Sequence, residues 1–505
     1  MAIEFGPSGA AAAGGAVEPS IDESRPDVRD DRQARSWFIW VLVGLTVAVL
    51  LVFVADDQGY LLGLLGKGAL FQPALVALAV AAIVALMFLR PSERIQFCLT
   101  GIVALAVTVP INRIGTVTNF TIGLFLVVIV AFTLVGVSGG RSTMSTRGRV
   151  LVGVLMGVLT VSTVLEGSIS GLLKLALSLA PALGAFLLAG RLDHLGRRTV
   201  AIAVVVLGGI QAALAIVEPV VFPHHLWAAA QVQLQVDGLV AAPDNGILAG
   251  MERSQGTLGH ALPLGFLLMV SLGQLLRVVD PPALVKWLMA GLFIGAVIFA
   301  GSRNSLILAV FLLLFYPSRK LTSVRLIWAA LLATIMLIIA VMSGQISLTF
   351  LDQFVASGSY THRVGVLDAF GQLLSKQSLV HTLIGNGFGS IPSLFARGLL
   401  QTDGFNVVDN QFVAALAQGG LVAMITMVIL TVTPLVVRDR YWRAAALVIL
   451  VNCMVYDWFN WTSSAAVGFF VYGCAYAQMR ATSAVPDGHA AGRGATVPEP
   501  APQTH

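Results

Sequence analysis

Apolar runs close to the length of a membrane crossing recur through almost the whole chain. They lie near 37–55, 69–89, 95–111, 120–138, 150–165, 171–190 and 199–218, and again near 262–276, 284–300, 304–317, 325–343, 410–436, 442–457 and 464–479. A hydrocarbon layer about 30 Å thick takes about 20 residues of helix, so several of these runs stand at the short end for a span. Only 11% of the 505 residues are charged and 57% are hydrophobic, against about 25% charged in an ordinary soluble chain. Lipid offers the backbone no hydrogen-bond partner, so the spanning elements must be helices or a closed barrel. Long runs without strand-like alternation select helices. The sequence therefore predicts an all-α polytopic membrane protein with about 12–14 transmembrane helices.

Charge then orients the spans. Alternating sides from a cytoplasmic N-terminus places RPSER, GGRSTMSTRGR, GRLDHLGRR, RVVDPPALVK, PSRKLTSVR and VRDRYWR together, with sixteen Lys and Arg. The short loops of the other side hold five, namely Lys67, Arg113, Lys174, Arg253 and Arg303. The positive-inside rule thus predicts a multi-pass protein of the cell membrane with both termini cytoplasmic. The 30 Lys and Arg against 25 Asp and Glu form no continuous basic stripe, which argues against nucleic acid as a partner. Residues 1–35 and 481–505 read as disordered cytoplasmic tails. Residues 36–343 read as transmembrane helices with an outer loop near 219–261, residues 344–409 as a large extracytoplasmic loop, and residues 410–480 as C-terminal transmembrane helices. Within the large loop, HRVGVLDAFGQLL carries helical spacing, so the loop is expected to fold over the outer face.

Four polar signals share that outer depth: RSQGTLGH (Arg253 to His260), GSRNS (Gly301 to Ser305), THR (Thr361 to Arg363) and VVDNQF (Val408 to Phe412). Arg303 stands between two apolar runs, where arginine costs about 2.5–3.5 kcal/mol at the bilayer centre and less at a hairpin tip. It is either an interfacial anchor reaching lipid phosphates or a ligand-binding residue, and its planar fork suits an anion in both cases. Arg363 and Arg253 could equally be solvated loop charges, and His260 a capping or packed histidine. Asp or Asn is a favoured N-cap before the run that starts at Gln411, which would account for one of Asp409 and Asn410 but not both. IGNGFGSI reads most simply as a tight turn, with a weaker reading as a phosphate cradle. His224 and His225 lack partners at ligand spacing, and Cys98, Cys453 and Cys474 share no metal or disulfide pattern, so no metal site is expected.

Taken in order, these motifs resemble the O-antigen ligase and polymerase superfamily of bacterial membrane glycosyltransferases. The matching residues are Arg253, Gly256, Thr257, Gly259, Gly265, Ser302, Arg303, Arg363, Gly385, Gly387, Asn410 and Gly419, within about residues 200–437. The chain departs from the ligases at Asp409, where they carry histidine, and at Gln418, where glutamate is common. Ligase and polymerase therefore both stay open. The resemblance implies a GT-C-like fold and a glycosyltransferase that uses a polyprenyl-diphosphate-linked glycan, with no cofactor and no metal. The acceptor would be a hydroxyl of a glycan, lipid or protein. It further implies Arg303, Arg363 and Asp409 as catalytic residues, with Arg253, His260, Asn410 and Ser302 binding substrate. The rivals are a lipid-linked oligosaccharide flippase or other transporter, which should carry ionisable or helix-breaking residues at the midplane, and a non-catalytic envelope scaffold.

Overall fold

The computed structural model describes residues 86, 88–109, 119–140, 142–221, 235–236, 239–240, 245, 247–248, 251–279, 281–315, 358–400, 407–436 and 440–483. The predicted spans near 37–55 and 325–343, almost all of that near 69–89, the N-terminal tail and His224 and His225 lie outside them. So does most of the C-terminal tail.

Every apolar run that falls within the described residues is a helix. In order these are α1 (Pro91–Thr108), α2 (Asn119–Ser138), α3 (Thr146–Leu165), α4 (Ile169–Ala189), α5 (His194–Val221), α6 (Ala261–Gln274), α7 (Ala283–Phe299) and α8 (Arg303–Phe315). There follow α9 (Gly358–Ser375), α10 (Leu379–Ile384), α11 (Ile391–Ala396), α12 (Gln411–Val436), α13 (Arg440–Cys453) and α14 (Thr462–Ser483). Between α5 and α6 lies a two-residue antiparallel pair, β1 (Gln235–Val236) with β2 (Leu239–Val240). Among the described residues, five helical stretches are long and apolar enough to cross a membrane: Thr146–Leu165, Ile169–Ala189, His194–Val220, Ala261–Val279 and Gln411–Leu435. Four shorter apolar helices accompany them, at Gly123–Ser138, Ala283–Phe299, Arg303–Leu313 and Trp442–Cys453.

Local chemistry sets the helix starts. Ser145 and Ser168 cap α3 and α4, accepting the amides of Gly148 at 3.2 Å and Gly171 at 3.0 Å, which satisfies donors that a helix start leaves without a partner. Pro91 opens α1, where a missing N–H costs nothing, and Glu93 reaches back to the amide of Arg90 at 2.8 Å. 

Between helices, small residues permit close approach. α14 packs along α4, where a Cβ on Gly473 would stand 2.7 Å from both Ala189 Cβ and the Phe186 carbonyl oxygen. The outside of the bundle is apolar, with Val422, Ile425, Val428, Ile429 and Val432 exposed along α12 and Val150, Val154, Val161, Val164 and Leu165 along α3. Polar groups such as Gln211, Thr257, Ser271 and Thr431 are buried inside. An apolar exterior around a hydrogen-bonded polar interior is the arrangement that lipid demands.

Two features differ from the sequence expectation. The predicted span 442–457 ends at Cys453, because Val455 and Tyr456 turn their amides back to the Asn452 carbonyl at 3.1 Å and a short 3-10 helix follows at Trp458–Asn460. Hydropathy reads on to residue 457 through the apolar signal of Met454, Val455 and Tyr456. The second difference is in α12, which is two helices joined at Gly420 (φ 67°, ψ −168°).

That break is closed by the IGNGFG segment. The Asn386 amide donates to the Ala417 carbonyl at 3.0 Å and the Gly387 amide to the Gln418 carbonyl at 2.9 Å. Ser162, in the last turn of α3, also donates to the Gln418 carbonyl at 2.9 Å. A Cβ on Gly385 would collide with the backbone of Gln418 and Gly419, and one on Gly420 with the backbone of Leu383 and Ile384. Gly385 itself has φ 81°. The backbone geometry at Gly420 is essentially reserved for glycine, at a cost of about 1–3 kcal/mol for other residues.

Within the stretch predicted as a large loop, the described residues 358–400 carry three helices, the first of them covering the expected helical segment HRVGVLDAFGQLL. Val366, Ala369 and Leu373 of α9 form one buried cluster with Leu394, Leu399, Leu400 and Val408 and with Val413, Ala414, Leu416 and Ala417 of α12. Gly385→Ala or Gly420→Ala is expected to destabilise the protein by at least about 1–3 kcal/mol in thermal unfolding. Gly153→Ala and Gly157→Ala, on open positions of α3, should be neutral or stabilising by up to about 1 kcal/mol.

Candidate active site

The helices α6, α8, α12 and α14 begin close together. His260 caps α6, its Nδ1 accepting the Leu262 amide at 3.2 Å. Its ring lies 5.2 Å from that of Trp461, the residue before α14. A Cβ on Gly265, in the second turn of α6, would collide with Ser305 Oγ and stand 3.3 Å from Ser302 Oγ, so the start of α8 fits against α6 only because residue 265 is glycine. The Phe459 amide, just before α14, donates to Gln411 Oε1 at 2.7 Å and ties that connection to the first residue of α12. Four helix starts thus share one end of the bundle, and each carries partial positive charge.

Arg303 is the first residue of α8 and is exposed. A cation at a helix start is disfavoured by about 0.3–1 kcal/mol, so this placement suits an anion brought to the site. Ser302 is buried and donates its hydroxyl to Ser305 Oγ at 2.8 Å. Arg253 is half-buried, and its Cγ lies 3.2 Å from where a Cβ on Gly301 would stand, which joins the RSQGTLGH and GSRNS signals. Asn410 is the N-cap of α12, its Oδ1 accepting the amides of Phe412 at 2.9 Å and Val413 at 3.2 Å. The capping role therefore falls to Asn410, and Asp409 before it is half-buried. Arg363 falls in α9, with its side chain outside what the structure describes.

The glycine-rich turn is not a phosphate cradle. Gly387 donates to Gln418 and also faces Ser162 Oγ at 2.7 Å, Phe388 donates to Thr163 Oγ1 at 2.8 Å, and Asn386 donates to Ala417. These amides serve the α12 break and leave no row of donors for an anion.

Two carboxylates escaped the sequence reading. Glu218, near the end of α5, is buried and accepts the amides of Gln255 at 2.8 Å and Gly256 at 2.9 Å, fixing the segment that leads to His260. Asp457 lies in the connection between α13 and α14 and is half-buried. Its Oδ2 accepts from Asn460 Nδ2 at 2.7 Å and its Oδ1 from Trp461 Nε1 at 3.3 Å. Burial pushes its carboxyl up to about 7; the Asn460 hydrogen bond opposes the shift and the nearby Asp409 charge adds to it. An aspartate inside VYDWFNW is an ionisable residue in an apolar run, which is itself a signal of function. Among the described residues, no three His, Cys, Asp or Glu side chains gather where they could share a metal ion.

No protein-family model matches the chain, and no curated protein is significantly similar to it.

Because the folded state binds the Asp457 proton more tightly than the unfolded chain, this group makes stability fall as pH rises from about 4 to about 7. Asp457→Asn should abolish that dependence and leave the protein more stable than wild type above neutral pH, as read by thermal unfolding in nanodiscs. Glu218→Ala removes a charged acceptor of two amides, each bond worth about 1.5–3 kcal/mol. Hydrogen exchange at Gln255 and Gly256 should then accelerate strongly while exchange within α12 stays unchanged.

Proposed function

We propose that the chain is a membrane glycosyltransferase of the O-antigen ligase or polymerase type. It acts at the outer face of the cytoplasmic membrane, with both termini cytoplasmic, and has a GT-C-like architecture. The donor is a glycan on a polyprenyl diphosphate, the acceptor a hydroxyl on a glycan, lipid or protein, and the product a cell-envelope polysaccharide or conjugate. The observation that carries this reading is the placement of an exposed arginine, Arg303, and a carboxylate, Asp409, at helix starts that share one end of an apolar-skinned bundle. A lipid-carried diphosphate reaches such a site from the membrane while its glycan projects into water.

In this reading Arg303, with Arg363 of α9, binds the diphosphate and stabilises the charge that grows on it as the glycosidic bond breaks. The helix starts add to the same potential. Asp409 orients the acceptor hydroxyl or takes its proton, and direct displacement inverts the sugar carbon. His260, Ser302 and Arg253 line the approach, and Asn410 keeps Asp409 in register by capping α12.

A transporter is the rival that the α12 break would favour, since broken helices in transporters expose carbonyls to coordinate ions. Here the freed carbonyls of Ala417 and Gln418 already accept from Asn386, Gly387 and Ser162. The break also lies level with the last turn of α3, since Ser162 is three residues from its end at Leu165.

The test is release of polyprenyl diphosphate by purified protein in nanodiscs supplied with lipid-linked glycans extracted from its own source. Arg303→Ala should lower kcat by about 10²–10³. Arg303→Lys should rescue little of it, because lysine offers a point charge in place of a planar fork. Asp409→Ala should cost about 10²–10⁴. Full activity in Arg303→Lys, or transfer of the intact lipid between leaflets without release, would overturn the reading.

A further inference from the structure

The connection Met454–Trp461 brings a second carboxylate to the end of the bundle that holds Asp409. Its turn is fixed at one end by the Asn452 carbonyl, which accepts the Val455 and Tyr456 amides, and at the other by the Phe459–Gln411 bond. Gln411 is two residues after Asp409, so the bond that anchors the connection also brings Asp457 within electrostatic range of Asp409. Asn460 and Trp461 each hold one oxygen of Asp457. Trp461 in turn lies against His260, the cap of α6. The groups facing Asp457 are then Asp409 from before α12, Tyr456 on its own connection with its hydroxyl bonded to Ser464 of α14, and His260 of α6 behind the indole.

We infer that Asp457 is the proton-accepting carboxylate of this site, with Asp409 as the group that orients the acceptor hydroxyl. The inference rests on the glycosyl-transfer reading and adds to it a residue that no motif of the sequence marked. Burial in this connection disfavours the charged form of Asp457, and the charge of Asp409 adds to that, so Asp457 holds a proton more tightly than an isolated aspartate would. A base with a raised affinity for protons, near the working pH, is the better acceptor. In the step itself the acceptor O–H bond breaks and its proton passes to an Asp457 oxygen. The acceptor oxygen bonds the anomeric carbon as the bond from that carbon to the diphosphate oxygen breaks, and the electron pair leaves with the diphosphate. Asp457 then returns its proton to solvent. The indole, the Asn460 amide and its own backbone amide leave a lone pair of the carboxylate for that proton.

The test uses the full-length protein in nanodiscs with the source's own lipid-linked glycans, in wild type, Asp457→Asn and Asp409→Asn. Infrared difference titration reads the protonated carboxyl, and polyprenyl-diphosphate release reads turnover over the same pH series. The expected result is a carboxyl band that titrates near pH 7, vanishes in Asp457→Asn and moves to lower pH in Asp409→Asn. The acid limb of wild-type turnover should follow that band, and turnover should fall about 10²-fold or more in Asp457→Asn while KM changes little. Wild-type turnover in Asp457→Asn, with the band gone, would overturn the role of Asp457 and leave glycosyl transfer standing. A band that vanishes in Asp409→Asn and persists in Asp457→Asn would exchange the two roles and overturn the inference. Failure of wild type to release polyprenyl diphosphate, with the band present, would overturn the transfer reading and the role drawn from it.

Discussion

A helix that breaks inside an apolar bundle releases carbonyls that only the chain itself can satisfy, and the break of α12 at Gly420 is where this structure meets that demand. Asn386, Gly387 and Ser162 supply the donors. The consequence is architectural, because one short turn joins α3, α12 and the helical segment of residues 358–400. Once that segment is pinned, α9 and α11 bury their apolar faces on the first turns of α12, and the start of α12 is held against the connection that carries Asp457 by the Phe459–Gln411 bond. Gly385 and Gly420 are required in the joint because any Cβ there would collide with backbone, which cannot move aside as a flexible side chain can.

The electrostatics of the site follow from the same geometry. Four helix starts and Arg303 raise the potential at one end of the bundle, and Asp409 and Asp457 answer it with two carboxylates that repel one another. In the proposed glycosyl transfer, that positive potential would stabilise the departing diphosphate while a carboxylate that readily takes a proton serves the acceptor hydroxyl. Glu218 acts farther back, at the C-terminal end of α5. A carboxylate there is disfavoured by the helix dipole and is stabilised by the two amides that it fixes ahead of His260.

Hydropathy was enough to locate the helices, because each predicted run within the described residues became one, from 95–111 as Pro91–Thr108 to 464–479 as Thr462–Ser483. It could not see the end of α13 at Cys453, since the apolar signal of Met454, Val455 and Tyr456 carried the predicted span on to residue 457. Nor could it see the break at Gly420, where AQGGLV differs from a continuous helix only by which partner its carbonyls find 31 residues away in sequence. Of the expected site residues, His260, Ser302, Arg303, Asp409 and Asn410 lie at helix starts and Arg253 lies against the Gly301 turn before α8, a grouping that the recurrence of polar motifs at the ends of apolar runs made legible. The division of labour between Asp409 and Asn410 was not legible, because one cap position precedes α12 and either side chain could fill it. Asp457 and Glu218 escaped because their partners, Asp409 and the Gln255–Gly256 amides, are remote in sequence.

The most direct measurement is a structure of the protein in nanodiscs bound to a polyprenyl-diphosphate-linked glycan. The account predicts the diphosphate in hydrogen-bond contact with Arg303 at the start of α8, and the first sugar facing Asp409 and Asp457. A diphosphate held at the middle of the bundle, away from those helix starts, would contradict glycosyl transfer at this site and favour a transporter.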